Sequence, residues 1–190
     1  MWHNYLEDYV IKKFNNKCCY TRLESIEPYR SSMPWSKALE GKKVLIVHPF
    51  KESIEKQLKQ NRKYLFNNKN VLPKFEFNIV KAVQSNAGGE VKYKDWFEAL
   101  EYMYNETLKY EYDIAIIGCG SYGLPLAAKL KANNKKVIHL AGATQILFGI
   151  KGKRWEEKPE VNCLFNEYWI RPNQNEKPKN AKKVEGGCYW

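Results

Sequence analysis

The run Ile114-Ala115-Ile116-Ile117 passes directly into Gly118-Cys119-Gly120-Ser121-Tyr122-Gly123, and a helical pattern follows over residues 124–132. An uninterrupted apolar strand has no face to give to water, so it must be covered on both sides, as in the middle of a parallel sheet. Parallel neighbours need crossover connections, usually helices, so this one segment calls for further strand–helix units on either side of it.

Those units are present. GKKVLIVHPF carries a buried strand over residues 43–47, and ESIEKQLKQNRKYLF sets Ile54, Leu58, Tyr64 and Leu65 roughly on one helical stripe. FEFNIVKAV is a second strand. Asp95 is placed to N-cap the helix DWFEALEYMYNETLKYE, whose apolar side holds Trp96, Leu100, Met103, Tyr104 and Leu108. KKVIHLAG forms the last strand and ATQILFGI begins a short helix. The expected architecture is a three-layer α/β sandwich, Rossmann-like in the broad sense, with a small, mostly parallel sheet of about four to five strands. It occupies residues 36–158. A helical arm precedes it over residues 1–35, with an amphipathic helix at 5–14. An irregular tail over residues 159–190 follows, docked on the body through Cys188, Tyr189 and Trp190.

With 32 Lys and Arg against 21 Asp and Glu, the chain has a formal charge of +11. No segment is a basic arm and no nucleic-acid motif is visible, so the charge reads as a solvated lysine-rich surface that would favour an anionic ligand. No apolar run reaches the length of a membrane span and the first residues lack a signal-peptide layout, so a cytoplasmic protein is expected. Cys18, Cys19, Cys119, Cys163 and Cys188 lack metal-type spacing and fit reduced thiols.

In an open parallel sheet, ligands collect beyond the carboxyl ends of the strands. The residues there are His48, Gln84, Ser85 and Asn86, the turn Gly118–Tyr122, and Gly142, Ala143, Thr144 and Gln145. The turn matches G-x-G-x-x-G. Gly118 permits the bend, Gly120 admits a ligand to the backbone, and the amides of Ser121, Tyr122 and Gly123 open a helix whose dipole favours an anion. A dinucleotide site also needs an acid about 20 residues on, for the ribose hydroxyls. That region reads VIHLAGA, with His139 and no acid before Glu156, so the pattern points to a phosphate rather than to NAD. His48 suits a general base or a donor to a ligand and, equally, a half-buried histidine bonded to a carbonyl; His139, within a strand, suits a structural role. Lys153 and Arg154, beside Trp155, are of the type that binds phosphate, with an ordinary helix C-terminus as the alternative; Arg171 is a weaker case.

The series PWSKALEGKKVLIVHPF, KAVQS, IIGCGSYGLPLAAKL, HLAGATQILFGIKGKRW and NEYWIRP…KVEGGCYW resembles a microbial protein family that is similar to the GT-D type glycosyltransferases of surface-glycan biosynthesis. The resemblance implies a nucleotide sugar at the Gly118–Tyr122 and 142–145 turns and a glycan acceptor. Loop amides with Lys153 and Arg154 would stabilise the departing diphosphate, and His48 would serve as the base. The acidic D-x-E motif of that family is missing here; TRLESIE, with Glu24 and Glu27, comes nearest. A divalent metal (Mn or Mg) beside the nucleotide sugar stays open, although the sequence shows no clear ligand set for it. The sequence also leaves open a homodimer or a partner chain. The alternatives are a non-catalytic binding or assembly module on the same fold and, less favoured, a nucleotide-cofactor oxidoreductase.

Overall fold

A computed structural model describes residues 8–9, 11–14, 19, 21–85, 92–183 and 185–190. Strands β1 (Lys43–His48), β2 (Glu76–Lys81), β3 (Ile114–Ile117) and β4 (Val137–His139) form one wholly parallel sheet in the order β2-β1-β3-β4. The register aligns Ile79, Ile46, Ile116 and Ile138 across it, and the next row aligns Val80, Val47, Ile117 and His139. Side chains alternate along a strand, so the two rows face opposite sides and seed two cores. Val44, Ile46, Ile79 and Ile116 belong to one, and Leu45, Val47, Val80, Ala115 and Ile117 to the other.

Helices cover both faces. On the first lie α1 (Lys51–Lys56), which continues through a π-helical turn (Gln57–Asn61) into α2 (Arg62–Leu65), then α5 (Ala143–Leu147), α6 (Lys153–Glu156) and α7 (Pro159–Asn162). On the second lie α3 (Trp96–Leu108) and α4 (Gly123–Ala132). The result is a three-layer, Rossmann-like α/β sandwich. Asp95 caps α3, its carboxylate accepting the Glu98 amide at 2.8 Å.

Two side chains depart from the expected helix faces. Tyr64 is 42 % exposed and stacks on Tyr168, because the π turn shifts the register after Leu58 and only Leu65 continues the stripe. Leu108 ends α3 and is also exposed. Of the expected arm helix at 5–14, residues 8–9 and 11–14 are described and helical. Tyr5 to Glu7 and Val10 lie outside the described residues, as do Cys18 and Asn86.

The segment after α7 packs on the body. The Trp169 indole donates to the Leu65 carbonyl at 3.1 Å, and Gln57 reaches the carbonyls of Gly149 and Tyr168. Glu176 is buried and caps α1 from outside: its carboxylate accepts the amides of Glu52 and Ser53, the Ser53 hydroxyl and the Asn173 amide. Truncation would strand several buried donors. Glu176→Ala is expected to cost about 2–4 kcal/mol, read as a lowered midpoint in urea denaturation, with Glu176→Gln losing less.

Candidate functional site

β1 leads one way to β2, whereas β3 lies on the other side of β1. The winding therefore reverses between β1 and β3, and the loops beyond their carboxyl ends part to leave a crevice. A cleft of about 620 Å³ opens there. The loop after β1 supplies His48, Pro49 and Phe50, and the one after β2 supplies Val83, Gln84 and Ser85. The turn after β3 adds Gly118 to Tyr122, the segment after β4 adds Ala141, Gly142 and Gln145, and Trp96, Tyr189 and Trp190 complete the wall.

The glycines explain the shape of its floor. A Cβ on Gly118 would lie 2.5 Å from Thr144 Oγ1 and 2.7 Å from the Ala141 carbonyl oxygen, so β3 must end in glycine for the post-β4 loop to close over it. Gly120 differs: its φ of +58° is left-handed, and a Cβ there would meet nothing within 4 Å. It presents bare backbone to the cleft. A short 3-10 turn, Gly120–Tyr122, then feeds α4. The Gly123 amide, expected to face an anion, instead donates to the Gly120 carbonyl within this turn, so it is the turn itself, ahead of the α4 dipole, that an anion in the cleft would meet. Gly123 lets α4 press on β4, since its Cβ would fall 2.1 Å from His139 Cε1. His139 is thereby packed against the helix start, and its Nδ1 lies 3.2 Å from the Ile117 carbonyl oxygen.

Aromatic rings make the walls. Trp96 stacks on Tyr122 with ring centres 5.0 Å apart, and the Tyr122 hydroxyl shares a hydrogen bond with Ser85. Phe50 meets Trp190 edge to face, and Tyr189 meets Trp155 in the same way. Among the described residues lining the cleft there is no Asp, Glu, Lys or Arg. Cys119 is buried and desolvation pushes its thiol up to about 12, so it stays protonated and inert. Ala141, with φ +49°, holds a strained left-handed conformation at the rim.

His48 is 4 % exposed, and burial drives its pKa down from the ordinary value of 6.5 to about 3. Its Nδ1 accepts the Phe50 amide at 3.0 Å. A buried histidine that is neutral when folded but free to protonate when unfolded stabilises fully above pH 6.5. That contribution is lost progressively as pH falls toward 3. It amounts to roughly 3–5 kcal/mol. His48→Asn is expected to flatten the loss of stability between those pH values, measured by denaturation midpoints across the range.

The expected site residues therefore divide by position. His48, Gln84, Ser85, Gly118, Gly120, Ser121, Tyr122, Gly142 and Gln145 line one cleft. Ala143 and Thr144 do not; Thr144 is fully buried, seated over Gly118 with its hydroxyl 3.3 Å from the Ile117 carbonyl oxygen. Lys153 and Arg154 also lie outside the lining. The Arg154 guanidinium sits over the Tyr189 ring and donates to its hydroxyl at 3.0 Å. Arg171 forms a two-pronged pair with Glu156. Trp96, expected only on the apolar side of α3, was not read as a site residue but was legible as one, because a helix that follows a β-strand's carboxyl end starts on the cleft side. Tyr189 and Trp190 were not, because only the packed structure fixes where a distant segment docks.

Among the described residues no group of three or more His, Cys, Asp or Glu side chains could hold a metal ion. No described helix is long and apolar enough to cross a membrane. Comparison with protein-family models, with curated proteins and with solved structures returns no match.

Proposed function

We infer that this chain is a glycosyltransferase-like protein that binds a nucleotide sugar in the cleft at the sheet's switch point. The observation that carries the reading is the meeting of two features in one cleft: the open glycine turn at the start of α4, and aromatic walls on either side. The turn's amides suit a diphosphate and the aromatic rings suit a flat base or a sugar face. A cavity of about 620 Å³ is within the usual range for a ligand of that size.

A specific observation favours a second form of the same reading, a module that binds without transferring. The described lining has no carboxylate to serve as a base, and His48 is held neutral with Nδ1 already engaged. Charge building on a departing diphosphate would be met by backbone amides and neutral side-chain donors such as the Ser121 hydroxyl, with no cation in the described lining. Two measurements separate the forms. A thermal-shift panel of UDP- and GDP-sugars, free UDP with manganese, and NAD(P) is expected to show stabilisation by nucleotide sugars. Release of UDP or GDP from the stabilising sugar nucleotide then reports transfer or hydrolysis. Binding without release supports the module, and stronger stabilisation by NAD(P) than by any nucleotide sugar overturns both forms.

A further inference from the structure

Two polar side chains of the cleft are more than nine-tenths buried, and each keeps one hydrogen-bonding atom unspent. His48 is 4 % exposed and Gln145 1 %. The Phe50 amide donates to His48 Nδ1, so that nitrogen carries the lone pair and the ring proton sits on Nε2. Among the described residues nothing accepts from Nε2. Gln145 is fixed just as firmly: its amide nitrogen donates to the carbonyls of Lys151 and Tyr189, each at 2.9 Å. Two carbonyl acceptors can be met only by the NH2 end, so the orientation of the side chain is settled and both its protons are spent. No described group donates to Gln145 Oε1.

These two side chains thus offer the cleft one oriented donor and one oriented acceptor, from the β1 and β4 sides of β3, and the Trp190 indole N–H in the same wall is buried and also unpartnered among the described residues. No charged side chain lines it among the described residues, so the ligand edge that meets them is neutral and offers an acceptor beside a donor.

We propose that His48 and Gln145 read a lactam or imide edge, the ring N–H beside a carbonyl found in uracil and guanine. The carbonyl oxygen accepts from His48 Nε2, and the ring N–H donates to Gln145 Oε1. This rests on the nucleotide reading above and narrows it to a class of base. Cytosine and adenine present the opposite pattern, an unprotonated ring nitrogen beside an amine. With the phosphates held at the Gly120 turn the base cannot turn over, so each of these would set acceptor against acceptor and donor against donor.

The test is calorimetric titration of the full chain with UDP, GDP, CDP and ADP, together with the diphosphate of 3-methyluridine, which lacks the ring N–H. UDP or GDP is expected to bind at least about tenfold tighter than CDP and ADP, and the methylated analogue to fall with the weak group. The UDP and GDP arms tell a pyrimidine from a purine. His48→Asn keeps an acceptor for the Phe50 amide but has no Nε2 proton, so the preference is expected to collapse while circular dichroism shows a native fold. Equal affinity for all the diphosphates, or an unaltered preference in His48→Asn, overturns this inference and leaves the nucleotide reading standing. No binding by any of them overturns both.

Discussion

Gly118→Ala is expected to destabilise the protein by about 3 kcal/mol, lowering its melting temperature by roughly 6–12 °C. The new methyl would collide with Thr144 Oγ1 at 2.5 Å and with the Ala141 carbonyl oxygen at 2.7 Å. Neither neighbour has room to yield. Thr144 is fully buried, and the Thr144 amide bonds to that same Ala141 carbonyl at the start of α5. Gly118 is also tied to the sheet, its amide donating to the Val47 carbonyl at 2.9 Å. Relief would have to come from moving the post-β4 loop outward, which would also deform the cleft floor. Gly123→Ala makes a useful comparison. Its methyl would meet the His139 ring, part of a side chain that can turn aside, so the cost is expected to be smaller. A melting temperature for Gly118→Ala within a degree or two of the wild type would contradict this packing.

Gly120→Asp is expected to do the reverse: lose ligand and keep the fold. The position is open, and although its φ of +58° disfavours most side chains, Asp and Asn tolerate the left-handed region best. The cost to folding is therefore about 1 kcal/mol. A carboxylate placed a few ångströms from a bound diphosphate repels it, and affinity is expected to fall by at least about 100-fold. Gly120→Asn supplies the control, with the same backbone demand and no charge, and should retain most of the affinity. If Gly120→Asp binds as the wild type does, the turn is not the anion site.

Much of the scaffold was legible in the sequence because its signals are local. Four apolar residues before a glycine turn marked β3 as central, and the structure gives it a parallel neighbour on each side. Asp95 announced the start of α3 through its capping chemistry. Tyr64 shows where local reading stops. A 3.6-residue period cannot foresee a π turn, and one extra residue per turn carries a side chain from the core to the surface. The strand-end residues could be named in advance because parallel topology fixes which loops share an edge. The wall formed by Tyr189 and Trp190 depends on contacts such as the one from Gln145 to the Tyr189 carbonyl, across a long stretch of chain. Thr144 shows a further limit: a polar side chain at a strand end can turn inward to support the turn rather than outward to a ligand.

The charge pattern carries a similar lesson. The formal charge of +11 invites an anion, yet the described cleft lining holds no cation. Any anion recognition in the cleft then falls to backbone amides, the dipole of α4 and neutral donors such as the Ser121 hydroxyl, which are hidden from a count of lysines and arginines.

The central claim, that the glycine-turn cleft binds a nucleotide sugar, is tested most directly by calorimetric titration of the wild-type chain and Gly120→Asp with UDP- and GDP-sugars and with NAD. The expected result is saturable binding of a nucleotide sugar by the wild type, tighter than NAD, and its loss in Gly120→Asp. Tighter binding of NAD, or equal binding of the sugar nucleotide by both proteins, would contradict the account.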